Sequence, residues 1–263
     1  MPADTKKPSA YRERNSTADR ALDILGLFSE SRLSVTASDL ATELGVARST
    51  AYRYLQTLTA SGFVEEDPAG GFRLGLRIFS LARLARRSYG LSEVAVPVLR
   101  RVALQTGETT LLTIRSGDRV VCLEKYDADF HRVQLTYDRG SALTLNAGAS
   151  AWVLLAWQDE ETVRSLLEGV TLPNPTDASV TDVEAILGRL AKIRQDGYVI
   201  SFGELDPDAV GIAAPIRDDR GEVIAGFSVV AIARRVRGHE EALIAQVKAA
   251  ADEVTERLVL SSQ

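Results

Sequence analysis

Polar side chains between positions 48 and 56 have the chemistry of nucleic-acid recognition. Arg53 carries the fork of N–H donors that pairs with guanine, and Gln56 carries the amide that pairs with adenine. Arg48, Ser49 and Arg73 suit phosphate oxygens, which position a protein on a duplex without reading its sequence. Double-stranded DNA is therefore the predicted partner, and the predicted contacts are Arg48, Ser49, Thr50, Tyr52, Arg53, Gln56 and Arg73.

The apolar residues around these side chains predict the helix that must carry them. They recur at i, i+4 and i+7 and leave the polar residues on the opposite face: Ala51, Leu55 and Leu58. A preceding helix is expected to begin after Thr36, with Asp39 in the capping-box position. A turn at Gly45 joins the two helices, so residues 36–62 are predicted to form a helix-turn-helix.

The flanking residues complete a small DNA-binding domain. Two β-prone runs, 63–65 and 72–74, are separated by turn-forming residues and predict a hairpin, the wing. Residues 16–30 have one apolar helical face and supply a third helix. Helical pairs with a glycine turn also occur where they serve packing alone, but this order and these lengths favour DNA binding. The prediction is a winged helix-turn-helix over residues 16–75.

Length, charge and cysteine content set bounds on the whole chain. Its 263 residues are enough for two domains, and its net charge of −5 is not that of a non-specific nucleic-acid binder. No apolar run is long enough to span a membrane, and the polar N-terminus does not have the pattern of a secretory signal. The single Cys122 suits a reducing compartment, so a cytoplasmic location is expected. Residues 1–15 are predicted to form a flexible arm, either solvated or in contact with phosphates.

The pattern of apolar and polar residues after position 75 predicts a connecting helix and a second domain. Residues 76–90 are apolar on two sides, which fits either a dimer contact or burial against the domain that follows. Residues 91–263 predict an α+β domain, an antiparallel sheet flanked by helices. Its predicted helices cover 91–107, 149–157, 159–169, 181–197 and 239–260, and its predicted strands cover a hairpin over 108–127 and residues 132–138, 198–206, 211–218 and 222–233.

Catalytic and metal-binding constellations are absent from the sequence. His131 and His239 lie far apart, and no Cys or carboxylate stands near either at metal-ligand spacing. There is neither a phosphate-binding glycine loop nor a nucleophile elbow. Cys122 is expected in the core, and four carboxylates are expected to be solvated: Glu108, Glu124, Glu204 and Asp206. We therefore predict no catalytic residue, metal or cofactor, and hold an enzyme with an accessory DNA-binding domain, or an assembly module, as the alternatives.

Several motifs in one order resemble the IclR family of bacterial transcription regulators over residues 16 to 260. They are RALDIL, STAYRYLQTL (49–58), RLG (73–75), TGET (106–109), GY (197–198), EL (204–205), AAP (213–215) and a D-x-x-G turn (218–221). The resemblance implies a GAF-like effector domain, dimers or dimers of dimers, inverted-repeat operators, and control of catabolic operons by small carboxylates or aromatic acids.

The resemblance also implies positions that contact the effector. These are Ala149, Ser150, Ser201, Gly211, Ser228 and Val230, to which the preceding Asn146 is added. The chain departs from the family at Ala151-Trp152, where Gly and a basic residue are common, and at Ser201-Phe202, where acidic residues are common. Both changes remove charge and add apolar bulk.

The residue types over 146–150 also indicate a ligand site, independently of the resemblance. Small residues over 146–150 let a ligand approach the backbone, and the N–H groups at a helix start favour an anion. Trp152 and Phe202, if they face inward, would suit an aromatic or longer acid. The alternative is that the small residues only allow a helix to pack on the sheet. The leading hypothesis is a ligand-responsive transcription regulator.

Overall fold

The computed structural model describes residues 16–29, 31–88, 90–128, 138–168 and 172–261. The predicted arm over 1–15, His131, and all but the last residue of the strand predicted over 132–138 lie outside these ranges. The chain divides into two compact units between Ala85 and Arg86. The domain boundaries predicted after residues 15, 75 and 90 remain predictions.

The first unit is the expected winged helix-turn-helix. Three helices and three short strands follow one another: α1 (Ser16–Gly26), β1 (Ser34–Val35), α2 (Ala37–Leu44), α3 (Arg48–Ala60), β2 (Val64–Glu66) and β3 (Phe72–Leu74). The strands form an antiparallel sheet in the order β1-β3-β2. The seam predicted on α3 is buried with residues of α1, α2 and the hairpin: Ile24, Leu40, Ala51, Leu55, Leu58, Val64 and Phe72.

Local interactions define the helix-turn-helix. The Thr36 Oγ accepts the Asp39 N–H at 3.2 Å, and the Asp39 carboxylate accepts the Thr36 N–H at 2.9 Å. The Thr36 hydroxyl also donates to this carboxylate at 2.8 Å, and the two donors from Thr36 lower the pKa of Asp39. Gly45 ends α2 with φ of 61°, a left-handed conformation that favours glycine. The predicted capping box and turn are therefore confirmed.

Helix α4 (Arg77–Ser88) follows the wing. Four large apolar residues of α4 and of the position before it remain exposed in the single chain: Leu76, Phe79, Leu81 and Leu84.

The second unit is a six-stranded antiparallel sheet with helices on both faces. Its elements are α5 (Leu91–Thr106), β4 (Thr109–Ser116), β5 (Arg119–Tyr126), β6 (Ala142–Leu143), α6 (Ala149–Leu155), α7 (Glu160–Leu167), α8 (Val183–Asp196), β7 (Val199–Phe202), β8 (Ala209–Arg217), β9 (Val223–Ile232), α9 (Ala233–Val236) and α10 (Glu240–Ser261). The strand order is β6-β5-β4-β9-β8-β7. The predicted α+β class is thus confirmed.

Alternation along the strands divides the core of this unit into two layers. Ile212 and Ala214 belong to the apolar cluster that includes α5 and α10, whereas Ala213 belongs to the cluster that includes α6 and α8. The short elements β1, β6 and α9 were not predicted, because two to four residues are too few for a periodic pattern. Of the helices in the described ranges, none combines the length and apolarity needed to cross a membrane.

Candidate functional site

The outward face of α3 presents the predicted DNA contacts to solvent. Ser49, Tyr52, Arg53 and Gln56 follow the i, i+3, i+4, i+7 pattern of one helical face, and all four are exposed. Among the described residues, the guanidinium groups of Arg48 and Arg53 have no ion-pair partner. The face therefore offers uncommitted positive charge and hydrogen-bonding groups, which is what DNA recognition requires.

A groove lies between the start of α3 and the wing. Its walls come from the N-terminus of α2, the N-terminal half of α3 and the wing: Thr36, Ala37, Arg48, Ser49, Tyr52, Gly71 and Phe72. The Tyr52 ring packs edge-on against Phe72, with centroids 6.2 Å apart. A side chain on Gly71 would place its Cβ 2.8 Å from the Val35 carbonyl oxygen, so glycine allows this close approach. Sequence reasoning missed Thr36 and Gly71 as neighbours of the site, because β1 was not foreseen.

Arg73 differs from the arginines of α3, because its charge is already paired. It stands directly opposite Glu65 in the hairpin, and its Nε and Nη2 lie 2.8 and 2.7 Å from the Glu65 Oε1. The expectation that Arg73 contacts phosphate stays a prediction.

The second unit contains a cavity of about 110 Å³ at the start of α6. Strands β4, β6, β8 and β9, the end of β7, and the loops before α6 and after β7 complete its walls. The lining residues are Leu111, Leu143, Ala147, Gly148, Ala149, Ser150, Ser201, Glu204, Leu205, Asp206, Ala209, Gly211 and Val230.

Five of the seven predicted effector contacts line this cavity: Ala149, Ser150, Ser201, Gly211 and Val230. Ser228 lies behind the wall, with its hydroxyl 2.8 Å from that of Ser150. Asn146 does not line the cavity. Its amide donates to the carbonyls of Pro173 and Val180 at 2.8 and 3.0 Å, so it holds a loop in place.

The small residues serve packing as well as access. A Cβ on Gly211 would lie 3.1 Å from the Ala149 Cβ, tighter than ordinary van der Waals contact. The start of α6 therefore packs closely on β8, which agrees with the alternative that the small residues allow the helix to pack on the sheet. The same residues also border the cavity.

Glu204 is buried, and the expectation that it is solvated is wrong. Its Oε2 accepts the Gly148 N–H at 2.9 Å and the Trp152 Nε1–H at 2.5 Å, while its Oε1 accepts Arg189 Nη2 at 2.6 Å. The Arg189 guanidinium also lies 4.5 Å from the centre of the Trp152 ring. The carboxylate is therefore balanced by one cation and two N–H donors, which permits its burial.

Two of the other three carboxylates are buried too. Glu124 pairs with Arg139 at 2.8 Å, and Glu108 lies 3.5 Å from Arg235. Asp206 alone is exposed, as expected, at the rim of the cavity. The partners come from distant parts of the chain, so the sequence did not reveal them.

Neither of the two aromatic residues expected to shape the pocket lines it. Trp152 is fully buried, and Glu204 fixes its indole N–H. Phe202 is half exposed, because the alternation of β7 turns Ser201 toward the cavity and Phe202 away. Contrary to the expectation, the apolar walls come from leucine and valine.

The cavity has hydrogen-bond donors but no catalytic apparatus. Within the described ranges, the Ser201 hydroxyl and the backbone N–H groups of Ala149 and Ser150 have no hydrogen-bond partner, although Ser201 is only 4 % exposed. Burial raises the pKa of Cys122 to about 11, which leaves a core thiol, as expected, rather than a nucleophile. No cluster of metal-ligating side chains occurs among the described residues.

Comparison with known families decides the identity. Residues 84–256 match the family model for the bacterial transcriptional regulator IclR C-terminal domain, and residues 17–68 match the IclR helix-turn-helix domain. The chain belongs to the IclR family. The resemblance inferred from the motifs is therefore confirmed.

Characterised IclR relatives align over most of the chain. It is 30 % identical to the HTH-type transcriptional regulator XynR of Escherichia coli K12 over 84 % of this chain and 87 % of XynR. It is 37 % identical to the regulator BhcR of Paracoccus denitrificans over 80 % of this chain and 75 % of BhcR. These relatives are named as transcriptional regulators and not as enzymes.

A solved structure of an IclR homologue shows the same fold with a ligand. The homologue from Microbacterium hydrocarbonoxydans, complexed with 4-hydroxybenzoate, has a TM-score of 0.81 and 30 % sequence identity, covering 92 % of this chain and 98 % of that one.

Proposed function

We propose that this IclR-family chain represses or activates a catabolic operon in the cytoplasm in response to a small organic effector bound in the cavity at the start of α6. The observation that carries the proposal is the set of donors left without partners at that cavity. The Ser201 hydroxyl lines the cavity, so it can donate to a ligand acceptor placed beside it without giving up a hydrogen bond to the protein.

The chemistry of the cavity favours a small acid with an apolar body. Ser201 and the two backbone N–H groups of Ala149 and Ser150 are all donors, so they suit a carboxylate. The hydrocarbon walls suit an aromatic or aliphatic body: Leu111, Leu143, Leu205 and Val230. Because Arg189 balances Glu204, the nearest buried carboxylate adds little repulsion.

DNA is proposed to meet the outward face of α3. In this arrangement α3 enters the major groove, and Arg53 and Gln56 contact base edges. The contacts that position the protein on the DNA phosphate backbone come from Arg48, Ser49, Thr50 and Tyr52.

Assembly as a dimer is proposed to involve α4. Its exposed Leu76, Phe79, Leu81 and Leu84 form an apolar surface that a second copy could cover. A two-fold dimer reads an inverted repeat, so the operator should contain two half-sites. Sedimentation as a monomer at micromolar concentration would contradict this part of the proposal.

The effector proposal is tested by filling the cavity. Ser150→Trp should abolish the effect of 4-hydroxybenzoate, or of another small acid found by thermal shift, on operator binding. DNA affinity without ligand should stay within a few fold. Because Ser150 is buried, Ser201→Ala serves as a gentler second variant. It removes the unpartnered hydroxyl without bulk and should weaken the ligand roughly 2- to 10-fold, the range of one hydrogen bond. An unchanged ligand response in both folded variants would place the effector elsewhere.

A further inference from the structure

The wing holds its one arginine in an ion pair between neighbouring strands. Arg73 lies on β3, the middle strand of the small sheet, directly opposite Glu65 on β2. Both Nε and Nη2 of Arg73 point at one carboxylate oxygen of Glu65, at 2.8 and 2.7 Å. Two of the guanidinium donors are therefore occupied before any DNA arrives.

The charge around this pair is negative. Glu65, Glu66 and Asp67 are consecutive, and Arg73 is the only cation between residues 63 and 75. Helix α3 is the opposite case, because it contains Arg48 and Arg53 and no acidic residue. The two elements of the DNA-binding unit thus present opposite charge to a phosphate backbone.

We propose that Glu65 withholds Arg73 from the DNA backbone, so that the wing adds no cationic phosphate contact on non-specific duplexes. This rests on the proposed binding of DNA by α3. Phosphate contacts supply nearly all non-specific affinity, whereas base contacts supply specificity. Glu65 therefore lowers the affinity for duplex DNA by one phosphate contact, while it leaves the base-reading side chains of α3 untouched.

The salt dependence of binding measures the number of phosphate contacts directly. Each phosphate that a protein neutralises adds about −0.9 to the slope of log K against log salt concentration. Glu65→Gln should free Arg73 and make the slope on a labelled random-sequence duplex steeper by about 0.9. Between 50 and 200 mM salt, the affinity of the variant should then fall roughly 3.5-fold more than that of the wild type.

Glu66→Gln is the matched control. It removes the same charge from the next residue of the wing, but Glu66 has no ion pair with Arg73. Its slope should change by well under half as much as that of Glu65→Gln. The double variant Glu65→Gln/Arg73→Gln should lose the added slope. All these side chains are on the surface, so thermal unfolding should confirm intact folds.

Three results would overturn the inference. Equal slope changes in Glu65→Gln and Glu66→Gln would show a general charge effect. Tighter binding by Glu65→Gln with an unchanged slope would show that Arg73 already contacts a phosphate in the wild type. A slope that stays steep in the double variant would exclude Arg73 as the contact. Arg53→Ala on an operator duplex tests the proposed function separately, since undiminished operator affinity in that variant would contradict recognition by α3 whatever Glu65 does.

Discussion

The two units of this IclR protein assemble their functional groups in opposite ways. In the first unit the candidate DNA contacts lie mainly on one exposed helix, α3, and their spacing along the chain is also their spacing in space. In the second unit the cavity takes its lining from α6, from the five strands β4, β6, β7, β8 and β9, and from the loops before α6 and after β7. A site on one helix can be found from periodicity, whereas a site assembled from several elements depends on how the sheet brings distant residues together.

The two units also differ in how their arginines are paired. Arg48 and Arg53 are exposed and have no ion-pair partner among the described residues, whereas Arg189 behind the cavity wall contacts Glu204 and Trp152. The arginines expected to meet DNA are therefore left unpaired. The arginine beside the cavity is held by its neighbours within the chain. Three predictions test this contrast.

The largest effect is expected where a buried charge would lose its partner. Arg189→Met leaves the Glu204 carboxylate, 4 % exposed, without a cation, so the second unit should lose about 2–3 kcal/mol of stability. This is below the range for fully buried pairs because the Arg189 side chain is 24 % exposed. Urea unfolding followed by tryptophan fluorescence measures this unit, since Trp152 and Trp157 both lie in it.

Arg164→Met is the control for that experiment. Arg164 pairs with Glu160 and Glu184, but those carboxylates are exposed, so the loss should be about 1 kcal/mol or less. Equal losses in the two variants would mean that the Glu204 network contributes no more than a surface ion pair.

A smaller and separate effect is expected on DNA. Arg53→Ala should cost roughly 1–3 kcal/mol of operator affinity if Arg53 pairs with a base, and it should leave the fold intact because the side chain is exposed. Fluorescence anisotropy at matched salt measures the loss. Arg220→Ala, an exposed arginine of the second unit, is the control. Equal operator affinity in the wild type and Arg53→Ala would remove Arg53 from the recognition set.

The smallest effect concerns the start of α2. The pKa of Asp39 is lowered by donors from Thr36, so the folded state favours the ionised carboxylate. Its contribution is present above the ordinary pKa near 4 and is lost as pH falls through the lower folded value. The melting temperature of Asp39→Asn should therefore approach that of the wild type as pH falls below about 4. A constant difference across this range, by circular dichroism, would show that the capping charge does not contribute.

Much of the DNA-binding unit was predictable from the sequence alone. The seam of Ala51, Leu55 and Leu58, the capping box at Thr36 and the turn at Gly45 depend on residues within a few positions of one another. Such local preferences act before any tertiary contact forms, which is why the observed helices closely match the predicted ones. The motifs also identified the family, and with it the approximate region of the cavity.

Tertiary structure alone decided what surrounds those positions. Glu204 and Arg189 lie 15 residues apart, and Trp152 lies 52 residues from Glu204, yet the three meet at the cavity wall. Whether a carboxylate is solvated or buried depends on such partners, and nothing local at Glu204 signals them. In the same way, the register of the hairpin places Glu65 opposite Arg73, so the Arg73 guanidinium is paired. The residue types by themselves could not settle this, because the pairing depends on the register.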